Sequence, residues 1–306
     1  MNNYKVNYKI GNRLKSQFLV LSLVTLVVSL SGMYSASAQE VWKASAGAQL
    51  SFMQLNSSDG IGSESSFDSG AGINLGISYS LNKSWSIHSG VGLSYMQASN
   101  SISSYNDRSD AVDVEGESFE FRYALDRYSE NQQSMLLSIP VGVQYESFGN
   151  QTRWYAKAGA SVNIFMSPTS QGSANTLITS GYYERFNGEL TEPRFAGFGT
   201  FNNIEFGEND LDINNSFNAF FEIGIKEKFG VDQWVYFGVF VEYGLNDILE
   251  NNGSSLIDYN TNAPMDFINN SSLNASLQSS GNALMDKLSM NIIGLRIKYE
   301  FGLQGT

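Results

Sequence analysis

The sequence predicts an all-β protein, an eight-stranded antiparallel transmembrane β-barrel with four long extracellular loops and short periplasmic turns. Three observations support this prediction: repeated segments in which apolar and polar residues alternate, connections that alternate between short and long, and aromatic residues placed at strand ends. After residue 38, no segment has the roughly 18 consecutive apolar residues that a transmembrane helix requires. The chain is therefore expected to cross a membrane with strands.

Composition excludes several classes of function. The 306 residues include no cysteine and one histidine, so disulfide frameworks, thiolate metal sites, cysteine nucleophiles and multi-histidine metal centres are excluded. A formal net charge of −12 argues against nucleic acid as a partner, because phosphate contacts need a basic surface. We expect no cofactor.

The N-terminal segment has the pattern of a secretory signal peptide. Four basic residues and no acidic residue precede an apolar run over residues 18–30, and Ala36-Ser37-Ala38 follows. This pattern predicts cleavage after Ala38, so that residues 1–38 are the signal peptide and residues 39–306 form the barrel domain. Gln39 stands where a lipoprotein would have cysteine. The alternative is an uncleaved N-terminal membrane anchor.

The first four predicted strands cover residues 41–53, 71–81, 85–97 and 133–146. Period-two alternation places apolar side chains on one face of each and Gly, Ser, Asn and charged residues on the other. Each strand is long enough to cross a bilayer when tilted, which takes about 9–11 residues. The apolar faces of the first, second and fourth strands are Trp42, Ala44, Ala46, Ala48, Leu50 and Phe52; Ile73, Leu75, Ile77 and Tyr79; and Met135, Leu137, Ile139, Val141, Val143 and Tyr145.

The last four predicted strands cover residues 153–166, 216–228, 234–247 and 288–302 and show the same alternation. Pro140, in the fourth strand, lacks a backbone N–H and predicts a bulge or a disrupted strand edge. A kink in the strand is the simpler interpretation, and a ladder that opens for a partner is the alternative. The apolar face of the closing strand is Ile293, Leu295, Ile297, Tyr299 and Phe301.

Connections between these strands alternate in length and differ in charge. Short turns are predicted at 82–84, 147–152 and 230–233, and long loops at 56–69, 98–132, 167–215 and 249–286. The long loops contain 22 of the 30 acidic residues and only 5 basic ones. Short turns on one rim and long loops on the other are typical of outer-membrane barrels, so the acidic surface is predicted to face the cell exterior as solvated loops.

Aromatic residues at strand ends predict the two membrane interfaces. Alternation places Trp234 on the inner face, which leaves a local bulge or a position in the lumen as alternatives. The predicted interface aromatics are Trp42, Tyr79, Trp85, Tyr95, Tyr145, Trp154, Tyr243, Tyr299 and Phe301.

The inner faces of the strands carry charges of both signs. Because an eight-stranded barrel is only wide enough for side chains, we expect these charges to pair and fill the lumen. A narrow water or ion path past Arg296, Glu222 and Glu242 is the alternative. The predicted lumen charge network is Lys43, Lys157, Glu222, Lys226, Glu242, Arg296, Lys298 and Glu300, and Glu146 lies on the same inner side.

Two motifs are weak candidates for chemistry. Ser86 lies two residues before His88, the only imidazole, and a serine hydrolase would need such a pair together with an orienting group. We expect His88 to fill the polar lumen and expect no catalytic residues. Asp210, Asp212 and Asn214 resemble the opening of a calcium loop, but the glycine and the glutamate that such a loop needs are missing, so no metal site is predicted.

Residues 136–145 (LLSIPVGVQY) followed by 154–163 (WYAKAGASVN) resemble the central hairpin of the PorT-like outer-membrane β-barrel family of Bacteroidota. In that family an Ile-Pro strand is followed by a short turn and a Tyr-x-x-x-Gly strand, and residues 291–301 are similar to its terminal strand. The resemblance implies a non-enzymatic barrel in the outer membrane, and a few members serve secretion or gliding machinery.

Taken together, these features predict a scaffold or binding component of the bacterial outer membrane that is not an enzyme. The expected partners are outer-membrane lipid and, through the acidic loops, other outer-membrane or secretion-complex proteins. Two alternatives are an outer-membrane lipid or peptide hydrolase that uses His88, and a narrow channel.

Overall fold

A computed structural model describes residues 42–59, 63–250, 253–278 and 281–303. The predicted signal peptide, residues 1–38, lies outside these residues. No helix in the described ranges is long and apolar enough to cross a membrane.

The described residues form strands of very different lengths and two short 3₁₀ helices, Glu184–Phe186 and Arg194–Ala196. The strands are β1 (Trp42–Asp59), β2 (Glu64–Ser66), β3 (Asp68–Ser80), β4 (Trp85–Val112), β5 (Ser118–Glu146), β6 (Thr152–Tyr183), β7 (Gly188–Leu190), β8 (Gly199–Asp210), β9 (Ser216–Gly230), β10 (Gln233–Gly244), β11 (Ile257–Asp258), β12 (Ile268–Asn269) and β13 (Met285–Gly302).

Eight of these strands form a closed antiparallel ring in the order β1, β3, β4, β5, β6, β9, β10, β13. The ring closes between the first and the last strand, where Ala44 is opposite Phe301 and Leu50 is opposite Leu295. The predicted fold class, an eight-stranded antiparallel barrel, is confirmed. A closed ring leaves no unpaired barrel edge, which is what a spanning sheet requires in lipid.

The outer surface of the ring is a continuous apolar band. Outward side chains such as Leu75 and Ile73 are more than 60% exposed, whereas their neighbours Asn74 and Gly76 face inward. The short connections β3–β4, β5–β6 and β9–β10 lie at one end of the ring, here called the short-turn rim, and the longer connections lie at the long-loop rim.

Inside the ring, two opposed glycines permit close packing. Gly142 and Gly159 are directly paired between β5 and β6, and the ring of Phe220 lies over both. A Cβ atom at Gly159 would stand 2.1 Å from the carbonyl oxygen of Val141 and 2.9 Å from Phe220 Cζ. The small barrel radius leaves no space for a side chain at these two positions.

Two predicted loops are instead largely strands, and a third, 56–69, contains the end of β1, all of β2 and the start of β3, which corrects the strand boundaries. The range 98–132 continues β4 and β5 into one long hairpin, and the range 167–215 contains the rest of β6 together with β7 and β8. Alternation persists in this region: Phe119, Phe121 and Tyr123 point to one face of β5 and Glu120 and Arg122 to the other. The predicted strands were about as long as a bilayer crossing requires, whereas the observed strands and their hydrogen-bonded pairing continue for many residues further.

The extended parts of β4, β5 and β6, together with β7 and β8, form what we call the distal sheet. The connection between β10 and β13, residues 245–284, is called the last loop, and its described residues cover one face of that sheet. Tyr259 of this loop packs edge-on against Phe119 at 5.0 Å. The last loop was predicted to be solvated, but it shares an apolar core with the sheet: Ile102, Tyr105, Phe119, Phe121, Tyr123, Leu125, Tyr128, Ala174, Leu177, Tyr183, Phe198, Phe201, Phe206, Leu256, Ile257, Tyr259, Ala275 and Leu284.

A second apolar cluster closes the barrel at the long-loop rim. Methionine and leucine side chains of the ring meet Ile248 and Leu273 of the last loop, so the mouth of the lumen is filled. We call this cluster the apolar plug: Met53, Leu55, Met96, Ala98, Leu136, Leu211, Phe240, Ile248, Leu273, Met285, Leu288, Met290 and Ile292.

Candidate functional site

The lumen below the apolar plug contains a network of buried charges. Each member belongs to the inward set of its strand, because period-two alternation sends every second side chain inward. Near the middle of the lumen, Glu222 on β9 accepts from Lys157 Nζ at 2.8 Å, from Arg296 Nη1 at 2.5 Å and from Tyr155 Oη at 2.8 Å. Glu222 is the centre of this part of the network.

Arg296 extends the network across the lumen. Its Nε and Nη2 donate to Gln49 Oε1 at 3.0 and 2.7 Å, and Gln49 Nε2 donates to Ser94 Oγ at 3.1 Å. The guanidinium also lies 4.2 Å from the centre of the Phe240 ring in the plug. Arg296 therefore connects the polar interior to the apolar cluster above it.

Nearer the short-turn rim, Glu146 and Glu300 form a second group. Lys226 pairs with Glu146, and Tyr236 Oη lies 3.2 Å from Glu146 Oε1 and 2.8 Å from Glu300 Oε1. Lys43 and Lys298 lie 3.7 and 3.9 Å from the carboxylate of Glu300. This end of the lumen is also filled by paired side chains.

The structure places all eight predicted network residues on the inner surface but does not join them all by ion pairs. Glu242 is the exception: its carboxylate accepts from Ser161 Oγ at 3.1 Å and Asn163 Nδ2 at 3.3 Å, and no ion pair joins it to another described residue. The sequence analysis did not include Tyr155 and Tyr236 in the network. Period-two alternation could have identified them, because Tyr155 lies two residues before the inward Lys157 and Tyr236 two residues after the inward Trp234.

Trp234 lies in the lumen, which resolves the alternatives left open by the sequence. Its ring is 7% exposed, with Lys226 Nζ 4.4 Å and the Arg153 guanidinium 4.9 Å from the ring centre. A register shift between β9 and β10 does occur beside it, between Gln233 and Trp234, but it does not turn the side chain outward.

The predicted interface aromatics lie mostly at the short-turn rim, where they contact one another. Trp42 packs on Tyr79 at 4.9 Å, and Tyr299 and Phe301 are 6.0 Å apart. Tyr95 and Tyr243 are exposed nearer the long-loop rim. The remaining contacts of this set are Trp85 with Tyr145 at 5.1 Å and Tyr145 with Trp154 at 5.2 Å.

A small polar cavity of about 70 Å³ lies inside the barrel, lined in part by His88, Glu242 and Arg296. By volume it can hold several water molecules, since each needs about 10–15 Å³ of such space. Ser86 Oγ and His88 Nε2 are 2.8 Å apart, so the pair noted in the sequence is hydrogen-bonded. Among the described residues, no carboxylate is hydrogen-bonded to His88.

Pro140 interrupts the ladder between β4 and β5 locally. The paired positions stop at Ser89 and Val141 and resume at Gly92 and Ser138, and Ser89 Oγ donates to the carbonyl oxygen of Pro140 at 3.1 Å. On its other side Pro140 stays paired with β6. The strand is thus disrupted on one edge only.

The weak calcium candidate is held by loop hydrogen bonds. Asp210 ends β8, the Asp212 carbonyl oxygen accepts from Asn274 Nδ2 at 2.6 Å, and Asn214 Nδ2 donates to the Leu249 carbonyl oxygen at 3.2 Å. No group of three or more His, Asp or Glu residues that could hold a metal ion occurs in the part of the chain described.

Beyond the barrel, the ranges 98–132 and 167–215 contain 15 of the 30 acidic residues. Four of the five arginines in the ranges 98–132 and 167–215 are already in ion pairs with glutamate or aspartate: Arg108 with Glu120, Arg122 with Glu120 and Glu189, Arg127 with Asp126, and Arg185 with Glu117. The surface therefore keeps a strong excess of negative charge.

Asp258, in the last loop, lies among apolar and hydroxyl side chains. Burial raises the pKa of its carboxyl above the ordinary value of 3.8, although hydrogen bonds from Ser255, Asn270 and Ser109 oppose that rise. Its contact with Asn270 Nδ2 is 3.2 Å long. Because the folded protein favours the neutral carboxyl, we expect the stability contributed by this residue to depend on pH.

The far end of the distal sheet exposes large apolar side chains. Phe186 and Phe195 are 66% and 75% exposed, and Val114 and Met265 lie on neighbouring segments. Contacts connect these segments: Arg185 Nη1 to Glu117 Oε1 at 2.6 Å, Thr261 Oγ1 to the Val112 carbonyl oxygen at 2.7 Å, and Tyr259 Oη to the Ala196 carbonyl oxygen at 3.1 Å. We call this region, residues 112–117, 184–197 and 259–266, the distal tip.

Comparison with known proteins gives one family and several solved structures. Residues 37–250 match the family described as outer membrane protein beta-barrel domain. No curated protein matches the sequence. Among solved structures, neisserial surface protein A (NspA) is 10% identical with a TM-score of 0.35, covering 88% of this chain and 100% of its own.

Two further solved structures are similar at the same level. Ail, the attachment invasion locus protein of Yersinia pestis, is 12% identical with a TM-score of 0.30, covering 85% of this chain and 98% of its own. The outer membrane protein OprG from Pseudomonas aeruginosa is 12% identical with a TM-score of 0.35, covering 87% and 97%.

Proposed function

The chain belongs to the outer membrane protein beta-barrel domain family and is an integral protein of the bacterial outer membrane, and on that premise we propose that it is a binding or scaffold component whose partner contacts the distal tip. The barrel anchors the protein in lipid, and the distal sheet carries the contact surface into the medium. The lumen has no part in this function.

The observation that carries the proposal is the shared core of the distal sheet and the last loop. Phe119, Phe121 and Leu256 are almost completely buried in the part of the molecule beyond the barrel, so the distal sheet and the last loop form a folded layer. A prefolded surface loses little conformational entropy when a partner binds. A protein that needed only a membrane anchor would have no use for such a layer.

The distal tip indicates the chemistry of the partner. Exposed Phe186 and Phe195 would bury apolar area in a complex, and the acidic residues around them, such as Glu184 and Glu192, would steer a basic partner towards them. We therefore expect a protein with an apolar patch bordered by lysine or arginine. The attraction should weaken as salt is added.

The resemblance of the hairpin containing Ile139 and Pro140 to the PorT-like barrels of Bacteroidota supports a more specific form of the proposal. In that form, the partner is another subunit of a secretion or surface-assembly complex. The family assignment itself is broader than this subgroup, so the identity of the partner is what the experiment must establish.

The test is affinity purification of the tagged protein from its own membranes in mild detergent, followed by mass spectrometry. The variant Phe186→Asn/Phe195→Asn changes the distal tip, and Phe148→Asn changes a phenylalanine on the short-turn rim that is 80% exposed. We expect one protein to be recovered in stoichiometric amount with the wild type and with Phe148→Asn, and to be lost with the tip variant.

The same purification in high salt should also reduce the yield of that partner. Recovery of the same protein by the tip variant in equal amount would contradict a contact at the tip. A heat-modifiable gel shift in all three proteins would show that each variant still forms a barrel.

A second candidate function, a hydrolase, is favoured by one contact, the 2.8 Å hydrogen bond between Ser86 and His88. We propose that this pair is structural, since a serine nucleophile also needs a group that orients the imidazole. The variant His88→Ala should leave any lipid or peptide hydrolysis by the purified protein at the level of the wild type. A wild-type activity that disappears in this variant would restore the enzyme candidate.

A further inference from the structure

Between the apolar plug and the core of the distal sheet lies a group of polar side chains with no charged partner of opposite sign. We call it the buried polar layer: Asn100 on β4, Glu130 and Gln132 on β5, Ser170 on β6, and Ser271 and Ser272 in the last loop.

Strand register brings these residues together. Asn100 is directly opposite Glu130, and Gln132 is directly opposite Ser170. Directly opposed residues have Cβ atoms about 4.5–5.5 Å apart, and Glu130 and Gln132 follow each other on one face of β5. From above, Ser271 Oγ donates to Glu130 Oε1, and the Ser272 amide donates to Glu130 Oε2 at 2.7 Å.

The carboxylate of Glu130 is completely buried without an ion-pair partner. Its residue is 0% exposed, and its other contact is Tyr128 Oη at 3.2 Å. No lysine or arginine among the described residues forms an ion pair with it. The cost of burying a charge is offset by hydrogen bonds, by an opposite charge or by a metal ion, and among the described residues Glu130 has only hydrogen bonds.

The neighbours of Glu130 are polar atoms without partners. Both polar atoms of the Asn100 amide, both of the Gln132 amide, Ser170 Oγ and Ser272 Oγ are buried and make no hydrogen bond within the protein. All four residues are at most 2% exposed. A buried polar atom that nothing satisfies destabilises the fold, and a polar occupant would remove that cost at all six atoms.

We propose that the buried polar layer binds a hard cation of the calcium type, together with water molecules. The two carboxylate oxygens of Glu130, the amide oxygens of Asn100 and Gln132, and the hydroxyls of Ser170 and Ser272 supply six oxygen atoms, within the range of about 6–8 that calcium takes. The amide nitrogens of Asn100 and Gln132 donate to water beside the ion. Because only one ligand is charged, the expected dissociation constant is about 10⁻⁴–10⁻³ M.

The ion would join two parts of the molecule. Glu130 lies on a long strand that continues into the barrel, whereas Ser271 and Ser272 belong to the loop that closes the lumen. Cation binding therefore stabilises the covered state of the barrel mouth. This property is independent of any partner at the distal tip.

The experiment measures thermal unfolding of the full-length protein in detergent micelles free of lipopolysaccharide, first in excess EDTA and then in calcium chloride. At about 10 mM calcium, we expect the midpoint to rise by roughly 2–6 °C. Choline chloride at equal ionic strength should produce no rise. A rise with sodium chloride alone would assign the site to a monovalent hard cation.

Glu130→Gln removes the charge and Ser272→Ala removes one neutral oxygen. We expect Glu130→Gln to unfold in EDTA at or above the wild-type temperature, because an unpaired buried charge is gone, and to show no response to calcium. Ser272→Ala should shift the calcium titration to several-fold higher concentration. The control Glu120→Gln, on the outer face of the same strand, should respond as the wild type does.

Isothermal titration calorimetry of the wild type should give one calcium site per chain. The proposal is overturned if the wild type unfolds at the same temperature in EDTA and in either cation, or if Glu130→Gln responds as the wild type does. Either result would leave water as the only occupant of the layer.

Discussion

At the residue scale, buried carboxylates in the narrow lumen are stabilised by ion pairs and hydrogen bonds from neighbouring strands. Glu222 accepts from a lysine, an arginine and a tyrosine that lie on different strands, β6 and β13. Glu242, on the neighbouring strand β10, receives only neutral donors. Two glutamates of the same inner surface therefore contribute very differently to stability.

Glu222→Gln should destabilise the barrel strongly. The substitution leaves Lys157 and Arg296 without their shared carboxylate, and removing one partner from a buried ion pair costs about 3–5 kcal/mol. Urea unfolding followed by tryptophan fluorescence measures the change. Glu242→Gln is the matched control, with an expected loss below about 1 kcal/mol. Equal losses in the two variants would contradict the assignment of Glu222 as the centre of the network.

A second residue, Asp258, should make stability depend on pH. The pKa of its carboxyl is raised in the folded protein by burial, so the folded state holds its proton longer than the unfolded state. The contribution of Asp258 to stability is therefore largest at acidic pH and falls as pH rises from the ordinary value of 3.8 through the folded pKa. Asp258→Asn should be more stable than the wild type at neutral pH and lack this decline.

The measurement is the urea midpoint between about pH 3 and pH 7, a range that contains the ordinary carboxyl pKa of about 4. Asp266→Asn, which changes an exposed residue of the same loop, is the control and should keep the wild-type pH profile. If Asp258→Asn declined with pH as steeply as the wild type, another group would have to carry the effect.

At the element scale, the long strands β4, β5 and β6 each have one part in the membrane-crossing barrel and one part in the distal sheet. The first half of β5 packs against the last loop and its second half crosses the membrane, and the buried phase changes from odd to even residue numbers between them, at Asp126 and Arg127. In the half beyond the membrane, the buried positions of β5 hold aromatic residues such as Phe119 and Phe121. In the membrane half, the inward positions include small and charged residues such as Gly142 and Glu146. Small residues are required where two strands and a lumen ring approach each other closely.

Gly159→Ala should destabilise the barrel, because its Cβ would collide with the Val141 carbonyl oxygen and with Phe220. Overpacking of this kind costs about 1–3 kcal/mol. The control is Gly207→Ala on β8, where an added Cβ meets nothing within 4 Å, and its effect should stay within about 0.5 kcal/mol. Comparison of the two urea midpoints tests the prediction, and a neutral Gly159→Ala would show that the strands can separate there.

At the scale of the whole molecule, the lumen is closed by two different kinds of contact. Ion pairs around Glu222 and Glu146 fill its polar part, and the apolar plug covers the mouth. Among the described residues, the polar cavity lined in part by His88, Glu242 and Arg296 has a volume of only about 70 Å³. The interior thus resembles a protein core more than a pore.

We therefore expect the wild-type protein to show no conductance in planar lipid bilayers. A general porin reconstituted in the same membrane serves as the positive control, and the heat-modifiable gel shift shows that the inserted protein is folded. Discrete conductance steps that depend on the wild-type protein would favour the narrow-channel alternative, with Arg296, Glu222 and Glu242 along the path.

The barrel itself was predictable from sequence because its signal is local. Alternation with period two identifies each strand and its inner face from a few consecutive residues, as for Ile73 and Leu75 outside and Lys157 inside. The same alternation predicted the inward set that contains the network residues. The excess of negative charge in the long connections was also predictable, because it follows from the number of acidic and basic residues in those ranges.

The tertiary structure alone decided how far the strands continue, how the last loop folds and which charges meet. Leu273 and Met53 belong to the same apolar plug, and Ser271 donates to Glu130, across separations in sequence that no local pattern encodes. Within the membrane, lipid requires one outward apolar face from every strand, so sequence determines the fold there. Beyond the membrane that requirement ends, and the strands extend only because distant segments supply a second apolar layer.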